Sequence, residues 1–132
     1  MYAPLETVTS LLEQEGYTIN DPWDVVDAFE KKVADYAGSK YAVSLDNCTN
    51  AMFLCLKYLR YTGEVIIPKN TYMSVPATLI NAGCYVKFKD IKWSGLYRLN
   101  PTPIYDGATR FRKGMYVQGS YHCLSFHKKK IL

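Results

Sequence analysis

Four short stretches of this sequence carry side chains whose types and spacing could do chemistry. Asp46-Asn47-Cys48-Thr49-Asn50 leaves an expected strand and enters an expected helix. Amide N–H groups at a helix N-terminus, with the macrodipole and the Thr49 hydroxyl beside them, make an anion site. The same residues also make an ordinary helix cap. Thr71 and Tyr72 follow Pro68 at the end of the next strand, where the ring could stack on a flat ligand or pack on Leu79. Asp106 ends the strand expected over Pro103 to Tyr105. There a carboxylate can keep a pyridine-type ring nitrogen protonated, so that the ring accepts electrons; Asp106-Gly107 is equally a turn signal. Ser125 precedes the run Lys128, Lys129, Lys130. Its hydroxyl could meet a phosphate or finish a strand. A neutral lysine attacks an aldehyde, whereas three adjacent lysines also make a solvated tail.

These side chains need elements to hold them. Asn20 or Asp21 can cap a helix that begins at Pro22, has Asp24 in its first turn and ends near Gly38. Val26, Phe29, Val33 and Tyr36 give that helix one apolar stripe. A shorter helix spans Thr7 to Glu15 and stops at Gly16. Beyond Tyr41, short β-branched and aromatic runs alternate with helical stretches, the mark of βαβ units. Strands are expected at Tyr41 to Leu45, Glu64 to Ile67, Cys84 to Phe88, Pro103 to Tyr105 and Cys123 to Phe126. Helices are expected from about Thr49 to Tyr61 and from about Val75 to Ala82, the first covered on most sides because only Asn50, Lys57 and Arg60 are strongly polar. Ile91 to Thr102 reads as a loop. In an open parallel sheet ligands lie beyond the carboxyl ends of the strands, where all four candidate stretches fall.

The bulk composition limits the functions available. With 132 residues, 48% of them apolar, the chain is expected to be one domain with a core of its own. Its net charge of +4 comes from scattered residues, which argues against a nucleic-acid partner. The sequence has no run of eighteen apolar residues and no secretory leader at Met1 to Glu6, so a soluble, cytoplasmic protein without a membrane partner is expected. Cys48, Cys55, Cys84 and Cys123 are too widely spaced for a metal pair or a disulfide framework and read as buried thiols. His122 and His127 lack the neighbours a zinc site needs, so no metal is expected.

Taken in order, these stretches resemble the DegT/DnrJ/StrS family of pyridoxal-phosphate-dependent sugar aminotransferases. Phe29-Glu30-Lys31-Lys32 and Tyr36-Ala37-Gly38-Ser39-Lys40-Tyr41-Ala42-Val43 look like its opening helix and first strand. Asn47-Cys48-Thr49-Asn50-Ala51 stands where the family has its phosphate turn, and Tyr72 stands for its ring-stacking aromatic. Ile104-Tyr105-Asp106-Gly107-Ala108 resembles the strand that delivers the aspartate to the pyridine nitrogen. Ser125-Phe126-His127, two residues and then Lys130 resemble the Ser-Phe-His-x-x-Lys signature, which selects Lys130 among the three lysines. The resemblance implies an α/β, three-layer, mostly parallel sheet, a truncated form of the fold type I large domain, with residues 1–20 as an N-terminal arm and 21–132 as the core. It further implies pyridoxal phosphate as cofactor, with Lys130 as the Schiff-base residue and Asp106 as its catalytic partner. Cys48, Thr49, the amides of Asn50 and Ala51, Tyr72, Thr109 and Ser125 would line the cofactor. The implied substrates are an amino-acid donor, usually glutamate, and a nucleotide-linked keto-sugar, and the implied assembly is a homodimer.

The sequence also departs from the family's pattern. Thr109 stands where the family usually has Gln or His, and Asn47 and Asn50 replace smaller residues. Between Asp90 and Asp106 there is no room for the strand, helix and His-x-x-Gly motif that the family carries there. The sequence stops two residues after Lys130, so the family's small domain is expected to be missing. A non-catalytic remnant that only binds the cofactor, or an interaction module of the same fold, is the alternative reading.

Overall fold

The computed structural model describes residues 4–127 and 129–130. Lys128, Met1–Ala3 and Ile131–Leu132, which belong to the tail and arm named above, lie outside the described residues. The chain forms two compact units, residues 1–44 and 45–132.

The first unit holds helices α1 (Leu5–Gln14) and α2 (Pro22–Ala37). α2 starts where the sequence places its start. The Asp21 carboxylate accepts from the Trp23 amide, the Asp24 carboxylate accepts from the Asp21 amide, and Pro22 occupies the first position, where no N–H is needed. Gly38, at φ 78°, closes the helix in the left-handed conformation. The face α2 buries is made of Ala28, Ala34 and Ala37, while Phe29 and Tyr36 of the expected stripe remain partly exposed.

Tyr41 to Leu45 does not form the strand expected from its composition. Both the Ser44 amide and its hydroxyl donate to the Glu30 carboxylate, at 2.6 and 2.8 Å. An amide held by a side chain contributes nothing to a ladder, and β-rich composition forms a strand only where a neighbouring strand supplies acceptors.

The second unit contains α3 (Cys48–Tyr58), β1 (Glu64–Pro68), α4 (Ser74–Asn81), β2 (Tyr85–Lys89), β3 (Tyr97–Arg98), β4 (Ile104–Gly107) and β5 (Tyr121–Leu124). β1 and β2 pair in parallel, with α4 as the crossover helix. β4 pairs in parallel with β5 and antiparallel with β3. Between the two sheets, Ile66 and Asn100 exchange backbone hydrogen bonds of 2.7 and 3.3 Å. The result is an α/β unit in which two of the three strand pairs are parallel.

One hydrophobic cluster joins strands to helices: Val65 and Ile67 of β1, Ile104 and Cys123 of β4 and β5, Met52 and Leu56 of α3, and Val75 and Leu79 of α4. Alternation along each strand places these side chains on one face. α3 is less covered than its sequence implies, because Leu54 is half exposed and Tyr58 is largely exposed, touching the Tyr121 ring edge-on.

The expected loop from Ile91 to Thr102 contains β3. Strand propensity over two residues is invisible in sequence, and this strand is fixed by its hairpin. The Arg98 guanidinium donates to the Thr102 and Pro101 carbonyls, and the buried Thr102 hydroxyl donates to the Leu99 carbonyl. β4 also runs two residues further than expected, so Asp106 belongs to a strand rather than to a turn.

Candidate functional site

α3 and α4 begin side by side. Asn47 caps α3 by accepting from the Asn50 amide at 2.8 Å, and the Ala51 amide donates to the Asn47 carbonyl. Two of the amides expected to face an anion are therefore occupied, and the helix geometry leaves those of Cys48 and Thr49 without acceptors inside the helix. The Asn50 side chain turns back to the Asp46 carboxylate at 2.9 Å. The Thr49 hydroxyl lies 3.0 Å from that of Ser74, the first residue of α4. α4 has no side-chain cap, and Pro76 in its first turn carries no N–H. Sequence reasoning overlooked Ser74; its position in the first turn after the Thr71-Tyr72 stretch was the available signal.

Asp106 is 6% exposed and both its oxygens are engaged. Oδ1 accepts from the Ala108 amide at 3.0 Å, and Oδ2 accepts from the Tyr97 hydroxyl at 2.7 Å. Tyr97 faces Asp106 directly across the β3–β4 ladder, which accounts for the contact. Its hydroxyl also lies 2.5 Å from the Thr71 hydroxyl. Trp93 packs edge-on against the Tyr97 ring, centroids 4.7 Å apart, and its indole N–H donates to the Asn70 carbonyl. Burial and the adjacent Asp106 carboxylate push the Tyr97 phenol well above its usual range, so it remains a donor. Next to Asp106, a Cβ on Gly107 would come 3.0 Å from Leu124 and 3.3 Å from Leu96, so a larger residue there would require those side chains to shift.

The Cys48 thiol, in the first turn of α3, lies within electrostatic reach of both Asp106 and Lys130. Burial and then the Asp106 carboxylate push it up to about 12, and the Lys130 ammonium opposes them. Asp106 and Lys130 are thus charged groups that act on this thiol with opposite sign. Cys123 on β5 shares a hydrogen bond with Cys55 of α3, which together with burial holds the Cys123 thiol well above its usual range. Lys130 is half-buried, and its amide donates to the His127 carbonyl at 2.7 Å. Ser125 is half-buried just past the end of β5.

Two expected cofactor residues stand differently. Tyr72 is 75% exposed and is not packed with Leu79, which belongs to the core. Thr109 is exposed, and its hydroxyl donates to the Gly95 carbonyl at 3.4 Å.

Parallel strands with an intervening helix, and polar side chains gathered at their carboxyl ends, define the α/β class in which ligands are held at strand tips. The chain belongs to the DegT/DnrJ/EryC1/StrS aminotransferase family, whose model matches residues 4–116. That match ends before β5, so Ser125 and Lys130 fall outside it. Over 120 residues the chain is 33% identical to the dTDP-3-amino-3,6-dideoxy-alpha-D-galactopyranose transaminase of Aneurinibacillus thermoaerophilus, covering 88% of this chain and 31% of that protein. It is 37% identical over 89 residues to the spore coat polysaccharide biosynthesis protein SpsC of Bacillus subtilis (strain 168), covering 66% of this chain and 22% of that one. The X-ray structure of the aminotransferase from Psychrobacter cryohalolentis superposes with a TM-score of 0.55 over 84% of this chain and 32% of that one, at 21% identity, which establishes the shared fold. The chain therefore spans under a third of each of these three relatives.

Proposed function

We propose that this chain is the cofactor-binding part of a pyridoxal-phosphate-dependent sugar aminotransferase, which moves an amino group from an amino acid, glutamate by family expectation, to a nucleotide-linked keto-sugar. The observation that carries the reading is the buried Asp106 carboxylate at the end of β4, held through both oxygens, together with the paired Thr49 and Ser74 hydroxyls where α3 and α4 begin.

The donor set fits pyridoxal phosphate. An anionic group would meet the Thr49 and Ser74 hydroxyls and the Cys48 and Thr49 amides at the positive end of α3, with the Ser125 hydroxyl assigned to it by the family resemblance. A ring nitrogen finds a buried carboxylate, and an aldehyde finds a lysine. Bound there, the cofactor supplies an electron-accepting ring that stabilises negative charge on the substrate carbon. Asp106 holds a proton on the ring nitrogen. Lys130 would hold the cofactor through its amine and would serve as the base that moves a proton at the substrate's amino-bearing carbon. The exposed Tyr72 ring is available to stack on the cofactor.

The small-molecule substrates, a homodimeric assembly and a cytoplasmic location belong to the same proposal. No described helix is long and apolar enough to cross a membrane.

Purified protein is expected to be yellow or to turn yellow with added pyridoxal phosphate. Borohydride should then fix a pyridoxyl group on the peptide bearing Lys130, and Lys130→Ala should abolish that adduct. A colourless protein that takes up none of the cofactor overturns the proposal. A protein that binds cofactor but is not converted to the amine form by glutamate keeps cofactor binding and loses transamination.

A further inference from the structure

The Asp106 carboxylate sits on a torsion that is broad for aspartate, so its plane is free to turn unless both oxygens are held. Here both are held, Oδ1 by the Ala108 amide and Oδ2 by the Tyr97 hydroxyl. We infer that Tyr97 is a positioning residue: it orients the Asp106 carboxylate toward the cofactor's ring nitrogen and leaves that carboxylate its full negative charge. This rests on the function proposed above.

The direction of the hydrogen bonds follows from counting protons. A carboxylate has none to give, so the single phenolic proton of Tyr97 goes to Asp106. The Thr71 hydroxyl must then donate to Tyr97. The result is a relay from Thr71 through Tyr97 to Asp106 in which every donor is neutral. An arginine or lysine in the place of Tyr97 would orient the carboxylate equally well but would cancel its charge, and with it the pull on a ring N–H. A phenol orients without cancelling. Two of the roughly four acceptor positions of the carboxylate are filled, which leaves the remainder for the ring.

The surroundings hold Tyr97 in place. The β3–β4 register puts it opposite Asp106, the Arg98 and Thr102 bonds close the hairpin, and Trp93 packs on its ring. Burial keeps the phenol protonated, as the relay requires. All of this comes from the short segment between Asp90 and Asp106, which supplies Trp93 and Tyr97.

The test is a double-mutant cycle on the full chain with Tyr97→Phe and Asp106→Asn, reading pyridoxal phosphate affinity and the nitrogen-15 resonance of ring-labelled cofactor. Tyr97→Phe keeps the ring and its contact with Trp93. It is expected to weaken cofactor binding about tenfold, the order expected when a hydrogen bond to a charged group is lost. It should also move the ring-nitrogen resonance toward the unprotonated position. In the Asp106→Asn background the same change should do neither, because the residue acts through the carboxylate. Should Tyr97→Phe fail to fold, as read by circular dichroism, Thr71→Val breaks the relay one bond earlier and should give a smaller effect of the same sign. Equal losses in both backgrounds, or an unmoved resonance in the parent background, overturn the inference while leaving cofactor binding intact. A parent protein that binds no cofactor overturns the functional proposal and this inference with it.

Discussion

Cys48 can serve as an electrostatic gauge of the candidate site. Its thiol is pushed from 9.0 to about 12, first by burial, then by the Asp106 carboxylate, against the Lys130 ammonium. Only the thiolate is alkylated, so a shift of three units lowers the reactive fraction near neutral pH by roughly a thousandfold relative to an ordinary thiol. A neighbouring unit charge that is partly screened is worth on the order of one pKa unit. Asp106→Asn should therefore speed Cys48 labelling roughly tenfold, and Lys130→Met should slow it by a similar factor. The assay is iodoacetamide labelling of the cofactor-free protein from pH 7 to 11, quantified on the Cys48 peptide by mass spectrometry. The parent rate should climb about tenfold per pH unit across that whole range without a plateau. A plateau with a midpoint near 9.0, or both variants labelling at the parent rate, would refute the burial of this thiol and the action of the two charges on it.

Leu79 has no exposed surface, so Leu79→Ala should lower unfolding stability by ~2–5 kcal/mol in denaturant titrations. Tyr58→Ala, on the 76% exposed end of α3, should change it by less than about 0.5 kcal/mol. Asp21→Ala removes the α2 cap, at a cost of about 1 kcal/mol, and should appear as faster hydrogen exchange at the Trp23 amide. Folded Cys48 keeps its proton up to about 12, whereas the unfolded thiol ionises at its ordinary 9.0. Its contribution is therefore complete below pH 9 and is lost as pH rises toward 12, with Tyr97 and Cys123 raised in the same direction. Thermal midpoints should fall across that alkaline window, and a midpoint that stays flat there would refute the burial of these groups.

The local signals in the sequence were sufficient where the physics is local. Asp21, Pro22 and Gly38 bound α2 because capping and backbone preference act within a few residues. β1, β2, α3 and α4 fall within a few residues of their expected positions because their apolar spacing and their turn residues agree. Tyr41 to Leu45 has a strand's composition, but a strand also requires a neighbour, and the Ser44 amide goes to Glu30 instead. β3 has only two residues, too few for any periodicity to register.

Within the candidate site, Thr49 and Asp106 were legible because one opens a recognisable helix and the other closes a recognisable strand, while Ser125 and Lys130 rest on the family signature alone. The partners of these side chains were not legible. The Tyr97–Asp106 bond depends on strand register, and the Thr49–Ser74 and Cys55–Cys123 contacts depend on how α3 packs beside α4 and β5. The sequence by itself determined where the caps, turns and apolar faces lie, since these arise from interactions between near neighbours. Only the tertiary structure decided which hydroxyl meets which carboxylate, since a shift of one residue in a strand turns every side chain to the opposite face.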